Sequence, residues 1–146
     1  MPWSTRIPRR GAEPRRLRGL IDTSVVVDLE QIEPDRLPVE CAVSAITMAE
    51  LAAGPHATAD SAERARRQDR LQRAEATFEP LPGDADVARA YGRVYAAVAA
   101  SGRKARRRRA VDLLIAATAV AASLPLYTRN PDDFAGLSDL LEIVSV

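Results

Sequence analysis

At 146 residues the chain has the size of one domain, long enough to bury a real core, and its 47% apolar content is that of a soluble globular protein. One cysteine, Cys41, and one histidine, His56, exclude an internal disulfide, a paired-histidine nuclease and zinc sites built from histidine and cysteine, so any metal must be held by oxygen, which favours Mg2+ or Mn2+. Net charge is only +1, yet arginines cluster before Arg18, between Arg64 and Arg73, and from Arg103 to Arg109, a distribution that suits a polyanionic partner or, more plainly, solvated faces.

Residues 1–17 carry Pro2, Pro8, Gly11 and Pro14 among arginines with no apolar period, and read as a basic tail ahead of a single domain over 18–146. Neither a signal-peptide core nor a membrane-length apolar run is found, so a cytoplasmic protein with no membrane contact is expected. Leu20-Ile21 reads as the end of a short strand, followed by the cap-rich Asp22-Thr23-Ser24 and a short helix over Val25 to Leu29, whose β-branched run also allows strand. Cys41-Ala42-Val43 suggests a second strand, and Ser44 or Thr47 caps a helix running to Ala53, where Gly54-Pro55 stops it. An exposed amphipathic helix is predicted over Ala57 to Thr77, then a short strand over Phe78 to Leu81. Ala85 to Ala100 is helical, with Val87, Tyr91, Val94, Tyr95 and Val98 on one inward stripe. Ala110 to Ser123 is apolar nearly all round and predicts a buried helix; Leu126-Tyr127-Thr128 ends a strand, and Leu141 to Val146 alternates as a last, edge strand. Short strands alternating with helices make an α/β fold with a mainly parallel sheet covered on both faces.

In such sheets ligands bind beyond the carboxyl ends of the strands. Asp22 falls there, as does Thr128-Arg129-Asn130, and Glu50 and Asp112 lie on helices that the sheet can bring to the same edge. Each has a plain structural reading: Asp22 as a helix cap, Glu50 three residues after Thr47 as a capping-box partner, Asp112 as a first-turn anion, and Asn130-Pro131-Asp132-Asp133 as a turn. Asp112, however, is followed directly by Leu113-Leu114-Ile115-Ala116-Ala117, and a carboxylate beside so apolar a helix is costly unless paired, protonated or metal-bound. A cluster of acids around a divalent cation resolves that cost. Without metal, three close carboxylates should repel and raise at least one pKa. Arg106, Arg107, Arg108 and Arg109, just before Asp112, are placed to grip RNA phosphates.

Four runs in order resemble one family. Leu20-Ile21-Asp22-Thr23-Ser24 looks like the opening motif of PIN domains, and Ser44-Ala45-Ile46-Thr47-Met48-Ala49-Glu50-Leu51 is similar to their second. Asp112-Leu113-Leu114-Ile115-Ala116-Ala117-Thr118-Ala119 resembles the third, and Leu126-Tyr127-Thr128-Arg129-Asn130 with Asp133-Phe134 the fourth. Among PIN domains the chain is most similar to the VapC-type toxins. The resemblance implies a three-layer α/β/α sandwich with a short-stranded, mainly parallel central sheet. It implies a Mg2+- or Mn2+-dependent endoribonuclease, commonly a homodimer, inhibited by a small cognate antitoxin protein and hydrolysing a structured RNA such as tRNA with a metal-activated water. Carried over by position, Asp22, Glu50 and Asp112 are the acidic site residues, with Asp22 and Asp112 on the metal. Many relatives have an acid where this chain has Asn130, so Asp133 or Asp132 is expected to supply the missing charge, and Thr23, Thr128 and Asn130 to orient substrate. That departure keeps a second reading open, a PIN-like module that binds RNA without cutting it.

Overall fold

The computed structural model describes residues 15–102 and 107–146. Its sheet has four short strands, β1 (Arg18–Ile21), β2 (Glu40–Ala42), β3 (Leu126–Thr128) and β4 (Ile143–Ser145), in the order β2-β1-β3-β4. All three pairings are parallel. Strand alternation divides the core: Leu20, Leu126 and Ile143 face one side, Ile21, Tyr127 and Val144 the other. The first side is covered by α4 (Ala85–Ala100) and α5 (Arg107–Ala122), through Val87, Ala90, Val94, Val98, Leu113, Ile115 and Ala116. The second is covered by α1 (Thr23–Val27), α2 (Ala45–Ala53) and α3 (Ser61–Thr77), through Val25, Val26, Leu51 and Ala74. The result is the expected three-layer α/β/α sandwich, in which β3 is buried along its whole length while the edge strands β2 and β4 are partly exposed.

Local chemistry sets the element ends. In α1 the Asp22 cap prevails over the β-branched Val25–Val27 run, and the helix closes after five residues, giving way to a 3-10 turn at Leu29–Gln31. Ser44, not Thr47, caps α2, its hydroxyl accepting the Thr47 amide. The third helix begins at Ser61 rather than Ala57, because Gly54–Ala57 forms a proline-containing 3-10 turn and Asp60 is the cap. Phe78 to Leu81 is not a strand: only Leu81 bridges, to Ser44, and proline on both sides (Pro80, Pro82) denies the ladder further N–H donors. Helix α4 spans the predicted residues, but Tyr95 is 49% exposed, off the inward stripe. Helix α5 extends back to Arg107 and ends in a Schellman motif: the Ser123 amide donates to Val120 O and the Leu124 amide to Ala119 O, with Ser123 at φ 54°. This stop uses Ser123 where a glycine is usual, one residue after the last helical position.

Of the expected tail, the described residues Arg15, Arg16 and Leu17 are bonded to the fold. Arg15 Nε donates to Leu37 O, the Val39 and Glu40 amides donate to Arg16 O and Leu17 O, and Arg16 pairs with Glu142. Gly19 lies flat under the Tyr127 ring, where a Cβ would meet Cε2 at 2.6 Å. Among the described residues no helix is long and apolar enough to cross a membrane.

Candidate active site

The chain leaves β1 toward β2 on one flank, and later returns to β3 on the other, with β4 beyond it. Such a reversal opens a crevice between the carboxyl ends of the two central strands. Asp22 stands at the end of β1, its amide donating to Tyr127 O on β3 at 3.0 Å. The side chain is 5% exposed. Its Oδ1 accepts from the Ser24 hydroxyl at 2.6 Å and from the Val25 amide at 3.1 Å. Burial pushes this carboxyl above its ordinary range, against the downward pull of hydrogen bonds from Ser24, Thr128 and the Val25 amide. The cause is desolvation and not, as the sequence suggested, repulsion from neighbouring carboxylates. No lysine or arginine pairs with Asp22 among the described residues.

One hydroxyl link extends from this acid, and a second starts at its chain neighbour Thr23. On one side Ser24 Oγ lies 3.5 Å from Thr128 Oγ1 and accepts the Arg129 amide at 3.0 Å. Thr128, fully buried, accepts the Asn130 amide at 3.0 Å. On the other side the Thr23 hydroxyl donates to Glu50 Oε1 on α2 at 2.6 Å. Because Ser44 is the cap, the capping-box position falls on Thr47, so Glu50 has no capping role and its carboxylate is turned to Thr23 instead.

Asp112 is partly buried on α5, five residues in from Arg107, so it sits in the second turn and not the first. The helix dipole acts mainly within the first turn and does not account for an acid there. Helix α5 packs both on α2, which carries Glu50, and on the 3-10 turn Pro131–Phe134, which carries Asp132 and Asp133. Asn130, Asp132 and Asp133 are exposed on that turn, and the Asp133 amide donates to Asn130 O. The structure thus joins Asp22 to Thr128 through Ser24, joins Thr23 to Glu50, and ties Asn130 to Thr128 by its backbone amide. Among the described residues no three acids, histidines or cysteines close on one another tightly enough to enclose a cation alone. Arg106 lies outside the described residues, Arg107 and Arg108 begin α5, and Arg109 is partly buried in its first turn.

Ser24 escaped the sequence reading, although a serine two residues after a capping aspartate is a known local bonding pattern. Arg129, named there only as part of the strand-end cluster, pairs with Asp28 at 3.5 Å at the end of α1. The arginines of α3 prove largely internal to the surface: Arg66 and Arg67 pair with Glu63, Arg73 with Asp69 and Glu30, and Arg64 and Arg67 hold carbonyls of the Gly54–Ala57 turn.

The PIN-domain family model matches residues 19–140, which takes in β2, β3, all of β1 but its first residue, and every element of the site. The chain belongs to the PIN-domain family. This PIN domain is 38% identical over 133 residues to Ribonuclease VapC5 of Mycobacterium tuberculosis, covering 88% of this chain and 95% of that protein. It superposes on the crystal structure of VapBC-5, a member of the VapBC toxin-antitoxin systems from the same organism, with TM-score 0.78 at 38% identity, over 89% of this chain and 99% of the other. A toxin-antitoxin complex from Klebsiella pneumoniae matches with TM-score 0.59 at 28% identity, over 87% and 96% of the two chains.

Proposed function

We propose that this PIN domain is a VapC-type endoribonuclease toxin that hydrolyses RNA phosphodiesters at the crevice between β1 and β3. The observation that carries the reading is Asp22: a nearly buried carboxylate, capped on one oxygen, with no cationic partner among the described residues, linked through the Ser24 hydroxyl to Thr128 and followed in the chain by Thr23, which holds Glu50. A buried anion without a counter-charge is an unfavourable element unless something positive visits it. The oxygen donors of Asp22 and Asp112 suit Mg2+, with Mn2+ as substitute, since Mg2+ uses one or two carboxylates and keeps several waters.

Asp22 and Asp112 are the residues that would hold the cation. When bound it supplies charge to offset that growing on the phosphoryl oxygens and makes a water more acidic. Asp22 is oriented for this by its two Oδ1 donors, which fix the carboxylate plane. Glu50, held by Thr23, and Asp133 on the neighbouring turn are bases for the water's proton. Thr128 and Asn130 define the β3 wall against which a phosphate rests, and Arg106 to Arg109 neutralise flanking phosphates. Water enters and the P–O3′ bond breaks, leaving a 5′-phosphate and a 3′-hydroxyl. The substrate class is a structured RNA such as tRNA. The matched toxin-antitoxin relatives support a cognate antitoxin protein as partner, and a homodimer is what the family resemblance implies. A groove between α3 and the turn after α1, lined by Val27, Leu29, Phe78, Arg70, Arg73, Glu30 and Asp69, offers a mixed apolar and charged surface to such a partner.

The test incubates wild type, Asp22→Asn and Asp112→Asn with total bacterial RNA, in Mg2+ or EDTA, and maps product ends. Discrete cleavage with 5′-phosphate ends, lost in both variants and in EDTA, is the expected result. Wild type that retains RNA on a filter but never cuts it with Mg2+ or Mn2+ would replace the nuclease with the silent RNA-binding module.

A further inference from the structure

The Thr23 hydroxyl that donates to Glu50 does not stand alone. It lies 3.1 Å from Thr47 Oγ1, and the Ser44 hydroxyl donates to that same oxygen at 3.3 Å. Ser44 and Thr47 are both 0% exposed. Three hydroxyls from two helices thus run from the buried cap of α2 to a carboxylate one turn further along the same helix.

Capping does not require threonine at position 47. The cap bond uses the Thr47 amide, which any residue but proline provides. A valine would fill the same volume without burying a hydroxyl, which is costly where it finds no partner. The partner that this hydroxyl finds is Thr23, and Thr23 in turn holds Glu50. Glu50 is exposed, and a free glutamate in water loses several rotamers' worth of freedom when it is fixed. A single hydroxyl donor fixes it only if that hydroxyl is itself fixed.

We infer that Thr47 is a positioning residue: its buried hydroxyl sets the rotamer of Thr23, which follows Asp22 in the chain and holds Glu50. This rests on the nuclease reading of the acidic site. The role is that of an outer partner of a working carboxylate, of the kind whose loss costs about 10- to 100-fold in activity.

The experiment uses the full chain as wild type, Thr47→Val, Thr47→Ser, Thr47→Ala, Glu50→Gln, and Thr47→Val combined with Glu50→Gln. Ser and Ala at this site differ only in the hydroxyl, so they serve should Thr47→Val not fold. In metal-free protein, three-bond NMR couplings of Thr23 report its χ1 rotamer. One rotamer is expected in wild type and Thr47→Ser, and rotamer averaging in Thr47→Val and Thr47→Ala. On the RNA that wild type cuts, the hydroxyl-free variants should lose about tenfold or more in kcat with KM changed by less than about twofold, while Thr47→Ser stays within about twofold. The double variant should be no slower than Glu50→Gln alone, since both changes act through one carboxylate. A single Thr23 rotamer in the hydroxyl-free variants, or a further tenfold loss on the Glu50→Gln background, overturns the inference. If wild type cuts no RNA, the nuclease reading fails, and the Thr23 couplings alone decide whether Thr47 positions it.

Discussion

Replacing Asp22 by asparagine separates what the residue does for the fold from what it does for the site. Asparagine caps helices as well as aspartate does, so Asp22→Asn keeps the Val25 amide satisfied and removes only the buried charge. Asp22→Ala removes both, at about 1 kcal/mol for the cap, which for a domain of this size is roughly 2–4 °C in Tm. The sign of the charge effect follows from burial. The folded pKa of Asp22 lies above its unfolded value of 3.8, so its contribution to stability is full below that value and is lost as pH rises through the folded pKa. In EDTA, Asp22→Asn should therefore match wild type on the acid side and melt at the same or a higher temperature near neutrality. Mg2+ should reverse that order. At about 100 times its dissociation constant a ligand adds roughly 2.7 kcal/mol, or about 5–10 °C, to wild type. It should add nothing to Asp22→Asn. Differential scanning fluorimetry across pH, with and without Mg2+, reads all of this. The reasoning is refuted if Mg2+ raises the Tm of Asp22→Asn as much as that of wild type, or if Asp22→Asn melts below Asp22→Ala in EDTA.

Other consequences are independent of the site. Gly19→Ala should lower stability by about 1–3 kcal/mol in chemical denaturation, because the new methyl meets the buried Tyr127 ring at 2.6 Å and Pro38 Cγ at 3.1 Å. Ser123→Gly should raise stability by about 0.5–1 kcal/mol in the same assay, since φ 54° at the end of α5 strains a residue with a Cβ. Burial pushes the Cys41 thiol up to about 11, so at pH 8 a thiol reagent should label the native protein many times more slowly than the unfolded chain.

The sheet, the layers and most helices were legible because they rest on apolar periodicity, which is local. Ala85–Ala100 is the clearest case, with Asp84 before it and a stripe at helical spacing. Asp22 and Thr128 were legible as strand-end polar residues. What sequence did not show was set by partners far along the chain. Leu81 pairs with the segment around Ser44 yet makes no strand, and Ser24 gains its role from Thr128 and Arg129 more than a hundred residues away. Glu50 read as a capping partner only while the cap itself was unplaced; once Ser44 takes it, the glutamate is released to Thr23. Asp112 moved from the first to the second helical turn because arginine is a good helix former and α5 continues back through Arg107.

The bond from the Asp22 amide to Tyr127 O, and the Ser24–Thr128 approach, also fix when the crevice comes into being during synthesis. At about 5–20 residues per second, the stretch between the two central strands takes on the order of 5–20 s to translate. Through that interval the nascent chain holds Asp22 and then Glu50, but no β3 against which to close them. The crevice is completed only once β3 has left the ribosome, so until then Asp22 and Glu50 are held on a chain that lacks the wall facing them.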